Sequence, residues 1–295
     1  MCTDPRTLDG AASRNTLADE CRWDHKTPAQ FREASRAELK DRYPGQCTFV
    51  DGEVRAINAL EPTKGQTGTQ FEAVLTSGEV FKAQKVILAS GCRDILPFID
   101  GFEECWGTGV VHCLLCHGHE ERGAESVGIL ALDAFAEPST LLRVLRTCKQ
   151  FAARVHIYTH GNGRSAASLK EVTGLVPGAT VESKEIDVLE MVDPAGERPS
   201  DIRVVLENGQ QQQHGFLLYH TATEQASELV TELGIDLDDN GDIKLGAFQE
   251  TSVRGIFAAG DCASTQKYVA IASAMGTMAG AGAAQQLQAE KAYNA

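Results

Sequence analysis

"SVGILAL" (residues 126–132), "STLLRVLRTCKQFA" (139–152) and "RVHIYTH" (154–160) follow one another along the chain, and their order decides the fold. The first and third are short apolar runs of strand length, and the second carries a helix-like pattern. Strand, helix and strand in that order make a β-α-β unit, which belongs to a parallel sheet. The expected class is therefore α/β.

The flanking sequence extends this reading. From Pro28 to Tyr43, small and apolar residues recur at helical spacing between charges, with Thr27 placed to cap the helix and Pro28 at its first position. A surface helix is expected there. "CTFVDGEVRAINAL" (47–60) and "QFEAVLTSGEVFKAQKVILAS" (70–90) read as short strands broken by glycine-containing turns. Their last run, Val86 to Ala89, suits a strand buried on both faces. A second block of strands and turns runs from about Val181 to Tyr219. "GIFAAGD" (255–261) is a strand feeding a Gly-Asp turn, followed by a small-residue helix, "YVAIASAMGTMAGAGAAQQLQ" (268–288).

The chain has 295 residues and a formal net charge of −14. Such acidity repels nucleic acid and anionic membrane surfaces, so neither is expected as a partner. No apolar run reaches the roughly 20 residues of a membrane span, and the polar start lacks a secretory pattern. Nine cysteines, an odd number, form no secreted disulfide framework. A reducing, cytoplasmic setting is expected.

The chemistry concentrates in "CLLCHGHE", residues 113–120. A C-x-x-C pair at a helix start has its first thiol acidified by the partial positive charge of the helix, which makes Cys113 the attacking thiolate. Cys116 then contacts a cofactor or resolves a mixed disulfide. Zinc is the rival reading, but no second Cys/His pair stands at ligand spacing, and no metal is expected. His117 is placed to take a proton from a thiol, and Glu120 to orient it at helical spacing. Cys47, Cys105 and Cys148 have no motif context and read as core filler. Cys92 and Cys262 fall in turns of the outer segments.

Ordered matches along the chain carry a family resemblance. They are "SRNT" (13–16), "WDHKTPAQFREASRAELKDRY" (23–43), "VILASGCRDILPFIDGF" (86–102), "CLLCHGHEERG" (113–123) and "GIFAAGDCASTQKYVAIASAMGTMAGAGAA" (255–284). Together they resemble the low-molecular-weight thioredoxin reductases, and most closely the fungal dithiol oxidases that close disulfides on gliotoxin-type metabolites. The resemblance implies a two-dinucleotide-binding-domain architecture. Residues 1–107 and 223–295 would form an FAD-binding-type domain, and 108–222 an inserted NADPH-binding-type domain carrying the cysteine pair. It also implies a homodimer, a small-molecule metabolite as substrate, and flavin contacts from Asp9, Arg14, Asn15, Gly260 and Asp261 if FAD binds.

Two departures qualify this. The strand, G-x-G-x-x-G turn and helix that receive the FAD pyrophosphate are not found, so about thirty residues at one edge of the flavin site are expected to be missing. Several charge-assisted hydrogen bonds, each worth about 1.5–3 kcal/mol, would go unmade, and FAD binding is expected to be weak or absent. In the middle domain, "GILALDAFAEPS" (128–139) replaces a glycine-rich loop, with Asp133 and Glu137 where phosphates would lie. "GNGRSAAS" (161–168) offers only Arg164 to a 2′-phosphate, so no NADPH is expected. Three functions stay open at this point: a redox tailoring enzyme acting through Cys113 and Cys116, an FAD-independent non-redox catalyst in the vacated groove, and a non-catalytic partner of a full-length homologue.

Overall fold

The structure is a computed structural model that describes Trp23, residues 26–61 and residues 68–292, with only the backbone of His117 and Ala292. Among these, 32–61, 68–94 and 223–292 form one unit, and Trp23, 26–31 and 95–222 form a second. The chain leaves the first unit after Asp94, ahead of the crossing after residue 107 expected from sequence, and returns at Thr223.

Helix α1 (Pro28–Arg42) buries none of its residues, as expected of a surface helix. Thr27 Oγ1 accepts from the Gln30 amide at 3.2 Å, and Gln30 Oε1 accepts from the Thr27 amide at 2.9 Å. This reciprocal pair satisfies two amides that the first turn would leave unpaired. Strands β1 (Val54–Leu60), β2 (Gln70–Leu75) and β3 (Val80–Ala83) form an antiparallel sheet in the order β1-β2-β3. Strand β4 (Val86–Leu88) follows, and then β5 (Cys92–Ile95). Cys92 is disulfide-bonded, unlike the turn cysteine expected in a reducing setting.

The second unit contains α2 (Phe102–Cys105), β6 (Val110–Val111), α3 (Leu114–His117), β7 (Ala124–Leu130), α4 (Pro138–Cys148), β8 (Ala152–Tyr158), α5 (Gly163–Thr173) and β9 (Ala179–Glu182). Strands β10 (Ile186–Met191), β11 (Ile202–Leu206), β12 (Gln211–His214) and β13 (Leu217–Leu218) complete it. Its main sheet is five-stranded and parallel, in the order β6-β13-β7-β8-β9. The β-α-β unit read from sequence is β7-α4-β8. Strand alternation sends successive side chains to opposite faces. Val127, Ile129, Val155 and Ile157 meet Leu141, Leu145 and Leu169 of the helices on one side. On the other side Leu130, Tyr158 and Leu217 meet Ile202, Val204 and Leu206 of the antiparallel sheet β10-β11-β12. Three layers thus enclose two cores.

Back in the first unit, β14 (Ala222–Gln225) pairs with β5, and α6 (Leu229–Glu232), β15 (Ile256–Ala258) and α7 (Val269–Ala292) follow. Strand β15 lies parallel to β4. Helix α7 buries Met275, Ala279 and Ala283 against Phe257 and Ala259, small residues bringing the helix close to the strand. Its far end is fixed by a part-buried ion pair, Lys85 Nζ to Glu290 Oε2 at 2.7 Å. The expectation that Val86–Ala89 is covered on both faces is corrected here. Leu88 is buried, but Ile87 is 43% exposed, because among the described residues β4 has a layer against only one of its faces. No described helix is long and apolar enough to cross a membrane.

Candidate functional site

Strand β6 delivers the chain to Cys113, whose extended backbone (φ −137°, ψ 113°) turns directly into α3. Cys113 and Cys116 form a disulfide, with their α-carbons 5.3 Å apart. The Cys116 amide donates to Cys113 Sγ at 3.2 Å. Both cysteines are half-buried, while Leu115 between them is 72% exposed, so the pair stands at a projecting turn.

The helix behind the pair is a single turn of four residues, followed by turns to Gly123. The helix expected from sequence to reach Glu120 thus ends at His117. Few peptide dipoles align in one turn, and the amide facing Cys113 Sγ is that of Cys116. Gly118 closes the turn by donating to the Leu114 carbonyl at 2.8 Å. A Cβ at 118 would collide with that carbonyl and with the Phe151 ring, so only glycine lets the turn settle. Further anchoring comes from Glu121, buried, which accepts from Ser200 Oγ at 2.6 Å and lies 3.7 Å from Arg198 Nη2.

Of the other expected catalytic groups, Glu120 is exposed in the turns beyond α3, and the side chain of His117 lies outside the described residues. His119 is exposed, and the half-buried His112 ring lies 5.8 Å from Trp106. Among the described residues no group of three or more His, Cys, Asp or Glu is placed to hold a metal. Cys105 and Cys148 are buried filler as expected, and burial pushes both thiols up to about 12. Cys47 departs from that reading, for it is exposed.

In the first unit, Gly260 follows β15 with φ 82°, and Asp261 opens a single 3-10 turn. Lys267 Nζ holds this turn, donating to the Asp261 carbonyl at 2.7 Å and to Asp242 Oδ1 at 2.8 Å. Cys262 is fully buried beneath it, its Sγ 3.4 Å from the Ala259 carbonyl. Asp9, Arg14 and Asn15 lie outside the described residues. The described residues hold the Gly260–Asp261 turn but no glycine-rich strand-to-helix turn to receive a pyrophosphate.

One polar feature escaped the sequence reading. His214 is buried between two hydroxyls, with Nδ1 2.9 Å from Ser126 Oγ and Nε2 2.6 Å from Tyr158 OH. Burial, then the nearby His156 and Arg154, holds its imidazole down to about 3. Its partners sit on β7 and β8, far apart in sequence, so only strand pairing brings them to it.

Comparison with known proteins places this geometry. The family described as pyridine nucleotide-disulphide oxidoreductase matches residues 166–286. A thioredoxin reductase of Gibberella zeae is 37% identical over 314 aligned positions, covering 96% of this chain and 90% of its own. The chain belongs to the thioredoxin reductase-like family. A relative from Aspergillus oryzae, thioredoxin reductase aclD, is 33% identical and covers 90% of this chain and 82% of its own. The crystal structure of HlmI shares the fold, with a TM-score of 0.79 at 22% identity over 98% of this chain and 84% of that one.

Proposed function

We propose that this thioredoxin reductase-like protein is a tailoring enzyme of fungal secondary metabolism that oxidises a dithiol metabolite through the Cys113–Cys116 disulfide. The observation that carries this reading is the disulfide itself, half-exposed on a projecting turn, with one sulfur held by an amide. A substrate thiolate attacks Cys116 Sγ, the protein S–S bond breaks, and Cys113 leaves as the thiolate that the Cys116 N–H stabilises. The second substrate thiolate then attacks the substrate sulfur bound to Cys116. A substrate disulfide closes and Cys116 leaves as a thiolate. Two electrons and two protons pass from substrate to the cysteine pair. His117, next to Cys116 in the chain, and Glu120 are assigned the proton transfers. Repeated turnover then requires an acceptor, for which a low-molecular-weight disulfide serves as reagent.

The test is a single-turnover count without oxygen. Oxidised protein mixed with dithiothreitol should yield one equivalent of oxidised reagent per chain from Cys113–Cys116, beyond what the disulfide of Cys92 yields, and Cys113→Ser and Cys116→Ser should each lower the yield by that equivalent. An unchanged yield in either variant overturns the reading. A second reading, a non-redox catalyst using Cys113 as nucleophile, needs no electron acceptor. It requires turnover of metabolite without oxygen, flavin or added disulfide.

A further inference from the structure

A cleft of about 430 Å³ opens within the second unit, beyond the carboxyl ends of β7, β8 and β13. Parallel sheets place ligands at such ends. The lining is apolar on one side, through Ile95, Leu96 and Leu132, and polar on the other, through Asp133, Thr159, His160 and Tyr219.

Three observations on the polar side point to a ligand. The Thr159 hydroxyl is completely buried and has no hydrogen-bond partner, an omission that buried polar groups rarely tolerate. Asp133 and His160 both adopt left-handed backbone, with φ of 46° and 41°, at the ends of the adjacent strands β7 and β8. Strain of this kind gathers at ligand sites. Finally, Tyr219 OH donates to Asp133 Oδ2 at 2.7 Å, which fixes the orientation of this exposed carboxylate at the cleft.

The charge of the site decides the ligand class. No lysine or arginine lines the cleft. A dinucleotide would need a glycine-rich turn and free amides at the following helix. Here the connection is a 3-10 turn, Asp133–Ala136, and Pro138 opens α4 without an N–H to give. His160 Nδ1 accepts from the Ile186 amide at 3.0 Å, so its Nε2 carries the proton of the neutral ring. We propose that this cleft binds a small organic ammonium group, with Asp133 Oδ1 and the Thr159 hydroxyl as its acceptors and the apolar wall holding its hydrocarbon part. Neither Cys113 nor Cys116 lines the cleft.

The experiment is calorimetric titration of the full chain with benzylamine, its neutral isostere benzyl alcohol, and NADPH. Benzylamine should bind at least ten-fold more tightly than the alcohol. Asp133→Asn, which keeps a partner for Tyr219 and suits left-handed backbone, should abolish that difference. Thr159→Val, of the same shape, should weaken the amine several-fold. Circular dichroism of both variants should match the parent. Cys113→Ser should bind benzylamine as the parent does, so failure of the disulfide mechanism leaves this result standing. Equal affinity for amine and alcohol, no heat at millimolar benzylamine, amine binding unchanged in Asp133→Asn, or NADPH competing for the cleft would each overturn the proposal.

Discussion

Both units contain parallel strand pairs, yet they treat the same kind of apolar run differently. In the second unit, Val127 to Leu130 of β7 are all buried, helices lying against one face and an antiparallel sheet against the other. In the first, the equally apolar β4 leaves Ile87 43% exposed. An apolar run states only that a strand gains by being covered. Whether it is covered depends on which other segments reach it. The second unit therefore has a sheet covered on both faces, the fixed disulfide turn and the cleft, and the first contributes the Gly260–Asp261 turn.

The contrast predicts where perturbation acts. Both tryptophans, Trp23 and Trp106, belong to the second unit, so their fluorescence follows its unfolding while far-ultraviolet circular dichroism follows both. The largest effect should come from acid. The folded His214 titrates near 3, below the ordinary histidine value, so between about pH 6.5 and pH 3 the unfolded chain binds a proton that the folded chain refuses. Stability of the second unit is full above this window and falls within it by about 1.4 kcal/mol per pH unit, reaching several kcal/mol near its lower end. The urea midpoint read by tryptophan should drop accordingly, and His214→Gln should flatten the dependence. A fluorescence midpoint unchanged between pH 7 and 4 would remove His214 from this role.

Leu145→Ala comes next. It empties a fully buried site between α4 and the sheet, and loses about 2–5 kcal/mol on the tryptophan transition. A loss under about 1 kcal/mol would mean that this core is looser than its packing indicates. The smallest effect belongs to the first unit. Ile87→Thr, which keeps β-branching at an exposed position, should change either transition by no more than about 0.5 kcal/mol. A large loss would show that Ile87 is covered in solution, and the contrast between the units would narrow.

Much of the fold was legible in the sequence because it depends on local pattern. The β7-α4-β8 unit, the Thr27 and Pro28 signals of α1, the turn at Gly78 between β2 and β3, and the strand leading to Gly260 all follow from spacing and turn residues. The C-x-x-C pair was legible for the same reason, its two sulfurs separated by one turn of chain. Less legible was the length of α3, since the turns after Gly118 are set by packing on Phe151 and by Glu121 reaching Ser200.

The sequence by itself determined the α/β class, the family and the cysteine pair, because each is written in residues close together or in a fixed order. Only the tertiary structure decided that His214 is buried between Ser126 and Tyr158, that Thr159 lacks a partner, and that Asp133 is held by Tyr219. Those residues lie tens of positions apart. Their environment is set by parallel strand pairing, which joins distant segments in a register that no local pattern specifies.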